Sequence, residues 1–387
     1  MLERRFLPLF LTSFVLSAGY GSIYALLAAI RETFGFSPSA IGLIGGAGFL
    51  AGFCAQVGLA RFADRGRTRE MLRLGLLCAM TGNVGMVFAD ELWSFVAARA
   101  LLGLGAGAFA PAVRRLLIAR DPERAGERLG LMASFDMAGF ISGPVIASVL
   151  HQALGLQVTF GVLAFGLLAL APAVLRTRVP SVPPSSETRP IRALLSRAAV
   201  RGALLCSLAF YTTVGVFEAI WAVLLADLGA SQLFIGATLS VFSLPMLFIP
   251  PFAGGLAQSR GPLRIVAGGV LVAIPCMAVY GLVESLWVLA AVVALHSVAD
   301  AFTMPSLQLG IAQASPPEHL ASGQGLIGAA GQLMAALTAL GSGWLYGSYG
   351  AASLFGGAAA LMAILLAAGL SQGRTLLAPP APAPTTS

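Results

Sequence analysis

The sequence predicts an all-α integral membrane protein of twelve transmembrane helices, arranged as two pseudo-symmetric six-helix bundles. Three observations predict it. The 387 residues are 58% hydrophobic and only 10% charged, whereas soluble domains carry about 25% charged residues. Apolar runs of about twenty residues, the length a helix needs to cross a hydrocarbon layer, recur along the chain. The sequence also matches itself when Leu92 is laid on Leu286, an offset of 194 residues.

The runs justify the elements in order. The first, 7–30, follows a basic start resembling a signal peptide, but it is too long to be one and is kept as span 1. Runs 39–60 and 71–89 flank an arginine-rich turn, 92–117 ends beside Arg114 and Arg115, and 129–151 and 157–175 complete an N-terminal bundle over 1–175. Residues 176–201, rich in Pro and Ser and then in Arg, are expected to form a cytoplasmic linker. Runs 202–226, 233–256, 264–283, 286–311, 322–346 and 350–371 build the C-terminal bundle over 202–371. The tail 372–387, ending APPAPAPTTS, lacks apolar periodicity and is expected to be disordered.

Charge orients these spans. All 23 basic residues are Arg. With the N-terminus inside, the groups Arg61–Arg73, Arg114–Arg128 and Arg176–Arg201, together with Arg260 and Arg264, face the cytoplasm. The other side carries Glu32, Asp90, Glu91, Asp227 and Glu284, with Arg31 its lone base. That is the positive-inside pattern, which predicts a multi-pass protein of the cytoplasmic (inner) membrane with both termini in the cytoplasm. The net charge of +7 is thereby assigned to topology. The lipid bilayer is the expected partner, and nucleic acid is not. Cys54, Cys78, Cys206 and Cys276 show no CxxC or CxxH spacing, so no metal site or disulfide framework is expected.

The internal match sets Gly35 on Gly229, Ser37 on Ser231, Ile41 on Ile235, Gly42 on Gly236, Trp93 on Trp287, Pro111 on Pro305 and Pro122 on Pro316. Apolar bias alone does not align rare Trp and Pro. Six spans are thus duplicated in parallel, an arrangement used by transporters whose halves rock about a midplane site.

Three motifs sharpen this. Residues 60–69 read ARFADRGRTR, 97–107 read AARALLGLGAG and 139–148 read GFISGPVIAS. With the duplication, they resemble the major facilitator superfamily over the full length apart from linker and tail, and in particular its twelve-span drug:proton antiporter branch. Against the usual G-x-x-x-D-R-x-G-R-R, Asp64 and Arg65 are in place, Ala60 replaces a Gly and the inner glycine moves to Gly66; GGLAQSRG (254–261) is a degenerate second copy with Gln258 where the acid would be. The resemblance implies a conformational latch at Asp64, Arg65 and Arg69, where a carboxylate among arginines holds a neighbouring helix end. Topogenic charge alone is the alternative.

Arg99, Gly103, Gly105 and Gly107 resemble R-x-x-x-G-x-G, and Gly139, Gly143 and Pro144 resemble G-x-x-x-G-P-x-x-G-G, with Ala147 and Ser148 in place of the last glycines. The glycines at 103, 105 and 107 let another helix or a substrate approach the backbone closely, and Gly139, Gly143 and Pro144 are expected to make a tight seam between the bundles. Arg at a helix centre costs about 2.5–3.5 kcal/mol on insertion scales. Arg99 is therefore expected to face a wet cavity or a carboxylate, or to snorkel to the outer headgroups.

Ionisable residues inside spans point to coupling. Glu218, His296, Asp300 and Arg99 fall on spans 7, 10 and 4, which line the central cavity in the resembled family; Tyr24 is the repeat equivalent of Glu218, and Trp221, Tyr211, Phe217 and Phe109 are expected in the lining. His296 and Asp300 share one helix face. Asp300 and Glu218 are the candidate proton or cation sites, with a buried His296–Asp300 tether as the structural alternative. Asp136 is read as a partner of loop arginines. HSVAD also fits an acyltransferase HxxxD pattern, short enough to recur by chance.

The expected activity is export of small amphipathic molecules by a monomer using alternating access, with a proton as coupling ion and no cofactor. A facilitator or symporter for sugars, organic acids or amino acids is the alternative, and a polytopic membrane enzyme a more distant one.

Overall fold

Helix ends fall where the sequence removes helical options. In the computed structural model, which describes residues 6–36, 38–177 and 190–378, nine helical residues have only their backbone described, Tyr24 and Glu218 among them. Helix α1 (Leu7–Phe34) opens with a proline in its first turn and closes on Gly35, whose N–H returns to Arg31. Helices α2 (Pro38–Phe62) and α3 (Thr68–Phe88) meet at the turn Ala63–Arg67, where Gly66 has φ 83°. That is left-handed backbone, open to glycine at no steric penalty, and it explains why the turn needs its glycine at 66.

Next come α4 (Leu92–Arg120), α5 (Ala125–Leu154), α6 (Leu156–Leu175) and the short α7 (Pro190–Leu195). After α8 (Ala198–Asp227), prolines divide one apolar run into α9 (Gln232–Ser243), α10 (Pro245–Phe248) and α11 (Pro250–Arg260). Proline lacks the N–H that a helix interior needs, so the run bends there, by 53°. The chain continues as α12 (Pro262–Leu282), α13 (Leu286–Ala314) and α14 (Leu320–Gln372). Inside α14, Gly350 at φ 78° breaks the helix where the sequence separates runs 322–346 and 350–371. Every element among the described residues is helical.

Eight helical stretches among the described residues are long and apolar enough to span a membrane, or nine if the bent α9–α11 run counts as one. Two of the eight, Leu43–Phe88 (46 residues) and Pro317–Gln372 (56 residues), contain the breaks at Gly66 and Gly350. Leu7–Ile23 is a shorter apolar helix. The expected linker 176–201 includes α7 and the first residues of α8, and its residues 178–189 lie outside the described ones. In the expected tail, 379–387 also lie outside them, whereas Arg374–Leu376 form a helical turn with Leu376 buried. An apolar Leu with a place to pack orders a segment that polarity alone marks as loose.

The chain divides into two compact units. The first comprises Met1–Arg120, Ser134–Pro190 and Pro317–Ala329, and the second Asp121–Ala133, Ile191–Pro316 and Ala330–Ser387. The first turns of α5 thus belong to the second unit and those of α14 to the first.

Within the first unit, α4 packs through its glycines. A Cβ on Gly103 would strike the Gly48 carbonyl of α2, one on Gly107 the Gly52 carbonyl, and one on Gly105 the backbone of Gly75 and Ala79 in α3. Positions 103 and 107 are one turn apart, as are 48 and 52, so small residues line up along both helices. In lipid there is no hydrophobic drive between helices, and such close backbone approach supplies the dispersion that joins them. In the second unit, Gly254 of α11 meets Gly126 of α5 in the same manner, and Gly369 of α14 meets Gly202 and Cys206 of α8.

Candidate functional sites and family membership

The turn between α2 and α3 places Asp64 against two elements distant in sequence. Its Oδ1 accepts from Arg115 Nε at 3.1 Å and from the Ala321 N–H at 2.8 Å, and its Oδ2 accepts from the Ser322 N–H at 2.7 Å. Arg115 Nη1 also donates to Thr68 Oγ1 at 3.0 Å. Asp64 and Arg115 are 1% and 2% exposed. Ala321 and Ser322 open α14, where N–H groups lack intrahelical partners and the helix dipole favours negative charge. Asp64 is therefore a remote cap on α14, held in place by Arg115. Burial pushes its carboxyl above the usual carboxylate range, against the lowering effects of Ser322, the backbone donors and Arg115.

Of the two arginines expected beside Asp64, Arg65 has its guanidinium 5.9 Å from the Phe62 ring and Arg69 is exposed. Arg115 supplies the buried cation instead. From the sequence Arg115 belongs with the topogenic arginines 114–128, because nothing in its local spacing relates it to residue 64. Gln258, at the offset of 194 from Asp64, makes a neutral counterpart. Its Oε1 accepts from the Gly126 N–H at 2.7 Å at the start of α5, and its Nε2 donates to the Pro122 carbonyl at 2.6 Å.

Arg99 is fully buried in the first unit. Its guanidinium lies 4.2 Å from the centre of the Tyr20 ring, and the Tyr20 hydroxyl donates to the Gly48 carbonyl at 3.0 Å. A Cβ at Gly48 would come within 2.7 Å of Arg99 Nε, so that glycine makes room for the cation. Snorkelling to the outer headgroups, the alternative to a wet cavity or a carboxylate partner, is not what Arg99 does: the planar cation is packed on an aromatic face, an attractive arrangement when desolvated. The seam at Gly139 and Gly143 is corrected. Both press on α1, at the Phe14 and Ala18 carbonyls, and Pro144 lies near Gly21, all inside the first unit. Spacing on one helix cannot say which neighbour fills the groove. Asp136 stands 4.0 Å from Arg114.

The second unit buries His296 and Asp300 together. His296 Nε2 is 3.6 Å from Asp300 Oδ1, too long for a hydrogen bond, and the two side chains are 1% and 2% exposed. His296 Nδ1 lies 3.0 Å from the Tyr280 hydroxyl. Asp300 Oδ2 and His296 Nε2 have no hydrogen-bond partner among the described residues. Aromatic rings close round them: Trp221 meets Tyr280 at 5.1 Å, Phe217 stacks on Trp221 at 4.8 Å and on Phe242 at 4.6 Å. Trp221 Nε1 donates to Thr238 Oγ1 at 3.0 Å.

Tyr280 was missed by sequence reasoning, since one Tyr in an apolar run reads as packing. Glu218 and Tyr24 fall in α8 and α1, and their side chains lie outside the described residues. Phe109 is core, packed against Gly75, and Tyr211 packs against Gly331. No group of three or more metal-ligating side chains occurs among the described residues.

These features define an all-helical, multi-pass membrane protein. The family model of the Major Facilitator Superfamily matches residues 9–217 and 203–386, and the chain belongs to that family. Among curated proteins it is similar to multidrug resistance protein MdtG of Serratia proteamaculans (strain 568), 27% identical over 325 residues covering 79% of this chain and 78% of the relative. It is also similar to MdtG of Enterobacter lignolyticus (strain SCF1), 26% identical over 312 residues, 76% and 74% of the two chains. Among solved structures it shares its fold with the human organic anion transporter MFSD10 (TETRAN), TM-score 0.76 at 16% identity over 95% of this chain and 100% of that one. The E. coli fucose:proton symporter FucP gives a TM-score of 0.77 at 15% identity over 96% and 99%.

Proposed function

We propose that the chain exports small amphipathic molecules by proton antiport with alternating access, as a monomer in the cytoplasmic membrane with both termini inside. In this reading its helices make twelve spans in two six-span halves, with the breaks at Gly66 and Gly350 each separating two crossings and the bent α9–α11 run making one. The observation that carries the coupling step is the His296–Asp300 pair, with Asp300 Oδ2 and His296 Nε2 each lacking a hydrogen-bond partner among the described residues. A buried, under-satisfied ionisable pair is expensive in a membrane unless it works. Here it would take a proton on one side and give it up on the other. Glu218 would be a second proton or cation site. The names of the relatives and the export-type motif at 139–148 support the direction.

The test uses everted vesicles holding a preformed inside-acid gradient, with an amphipathic cationic dye as substrate. Adding dye should dissipate the gradient, and Asp300→Asn should abolish the release. Dissipation undiminished in Asp300→Asn and Glu218→Gln alike would refute the coupling assignment. A symporter or facilitator for sugars or organic acids would show no dye-driven release.

A further inference from the structure

The segment between α12 and α13 is only residues 283–285, so the two helices run antiparallel side by side. Two adjacent glycines then act in opposite ways. A Cβ on Gly269 would strike Thr303, which brings the helices into close contact, whereas a Cβ on Gly268 would meet nothing within 4 Å. The result is a groove of about 300 Å³, with Arg264, Gly268 and Val272 on one wall and Leu295, Val298 and Phe302 on the other. Its lining is apolar along its length except at one end. There Arg264 is exposed, and no acidic side chain pairs with it among the described residues.

From position 264 to 272 the trough extends about 12 Å at the helical rise, most of the about 15 Å depth of one hydrocarbon leaflet. A cation at the headgroup level and a continuous apolar channel running inward from it match one kind of ligand. We propose that this groove binds a single anionic phospholipid, its phosphate on the Arg264 guanidinium and one acyl chain in the trough over Gly268. Guanidinium binds phosphate by two parallel hydrogen bonds, and free phosphate would leave the apolar trough unexplained. The site is separate from the His296–Asp300 pair and does not depend on the transport reading.

Native mass spectrometry of the full chain, released from micelles containing equal amounts of phosphatidylglycerol and phosphatidylethanolamine, tests it. The wild type should retain one phosphatidylglycerol, favoured by about fivefold, as expected for one arginine at an anionic surface. Arg264→Gln should bring the two lipids to parity. Gly268→Phe, which fills the open space at that position, should lose both while keeping the elution and melting of the wild type. Arg192→Gln, which removes an exposed arginine of α7, should change nothing. The proposal is overturned if Arg264→Gln keeps the preference, if Arg192→Gln removes it equally, or if a second copy of the chain occupies the groove and the retained mass is that of a dimer. Should Gly268→Phe fail to fold, Gly268→Leu and the Arg264→Gln result still decide.

Discussion

Asp64 and Arg115, 51 positions apart, meet in a buried ion pair at 3.1 Å while the same carboxylate caps the first turn of α14. Removing one member of a buried pair leaves the other charge uncompensated, at about 3–5 kcal/mol. Arg115→Ala and Asp64→Ala are therefore expected to lower the melting temperature in detergent strongly, and the double variant to melt well above the sum of the two losses. Arg69→Ala, at an exposed position, should melt as the wild type. If Arg69→Ala proved the most damaging of the three single variants, the pairing described here would be wrong.

Gln258 gives a milder case. Replacing it with Ala removes the acceptor for the Gly126 N–H and the donor to Pro122, and a lost helix cap costs about 1 kcal/mol. Gln258→Glu keeps the acceptor and places negative charge at a helix N-terminus, which the dipole favours, but it faces the Pro122 carbonyl without a donor. The expected order of thermal stability is Gln, then Glu, then Ala. An alanine variant as stable as the wild type would show that the cap is dispensable.

The two caps also show what the sequence could and could not disclose. Helix positions were legible because spans must be apolar for about twenty residues, and the offset of 194 already placed Gln258 opposite Asp64. The glycines at 103, 105 and 107 announced close packing, but which faces met α2 and which met α3 depended on tertiary geometry. Arg115 and Tyr280 were hidden for a related reason. Each works through a partner on another helix, and within its own helix each looks like an ordinary topogenic arginine or core aromatic.

Tyr280 can be tested apart from its bulk. Tyr280→Phe keeps the ring against Trp221 and Phe355 and deletes only the hydroxyl facing His296 Nδ1. That hydroxyl helps set which imidazole nitrogen carries the proton. The variant is expected to shift the pH profile of dye-driven proton release while preserving much of the maximal rate, whereas Asp300→Asn should lose release at every pH. A profile superimposable on that of the wild type would deny Tyr280 a positioning role.

The glycine seam of the first unit makes a prediction with an internal control. A Cβ added at Gly103 runs into the Gly48 carbonyl, which is backbone and cannot swing aside. Alanine there must therefore push α2 and α4 apart, and overpacking of this kind costs about 1–3 kcal/mol. At Gly236 in α9 the same methyl meets nothing within 4 Å, so only helix propensity changes, in favour of alanine by about 1 kcal/mol at most. Gly103→Ala should thus lower the melting temperature and Gly236→Ala leave it equal or slightly raised. Parting α2 from α4 also loosens the Gly48 wall against which Arg99 is packed, so Gly103→Ala should impair transport beyond its effect on stability. The check is transport per folded molecule, measured below the melting point of both variants. Equal activity in the two would mean that close packing of α2 on α4 matters for holding the unit together and not for placing Arg99.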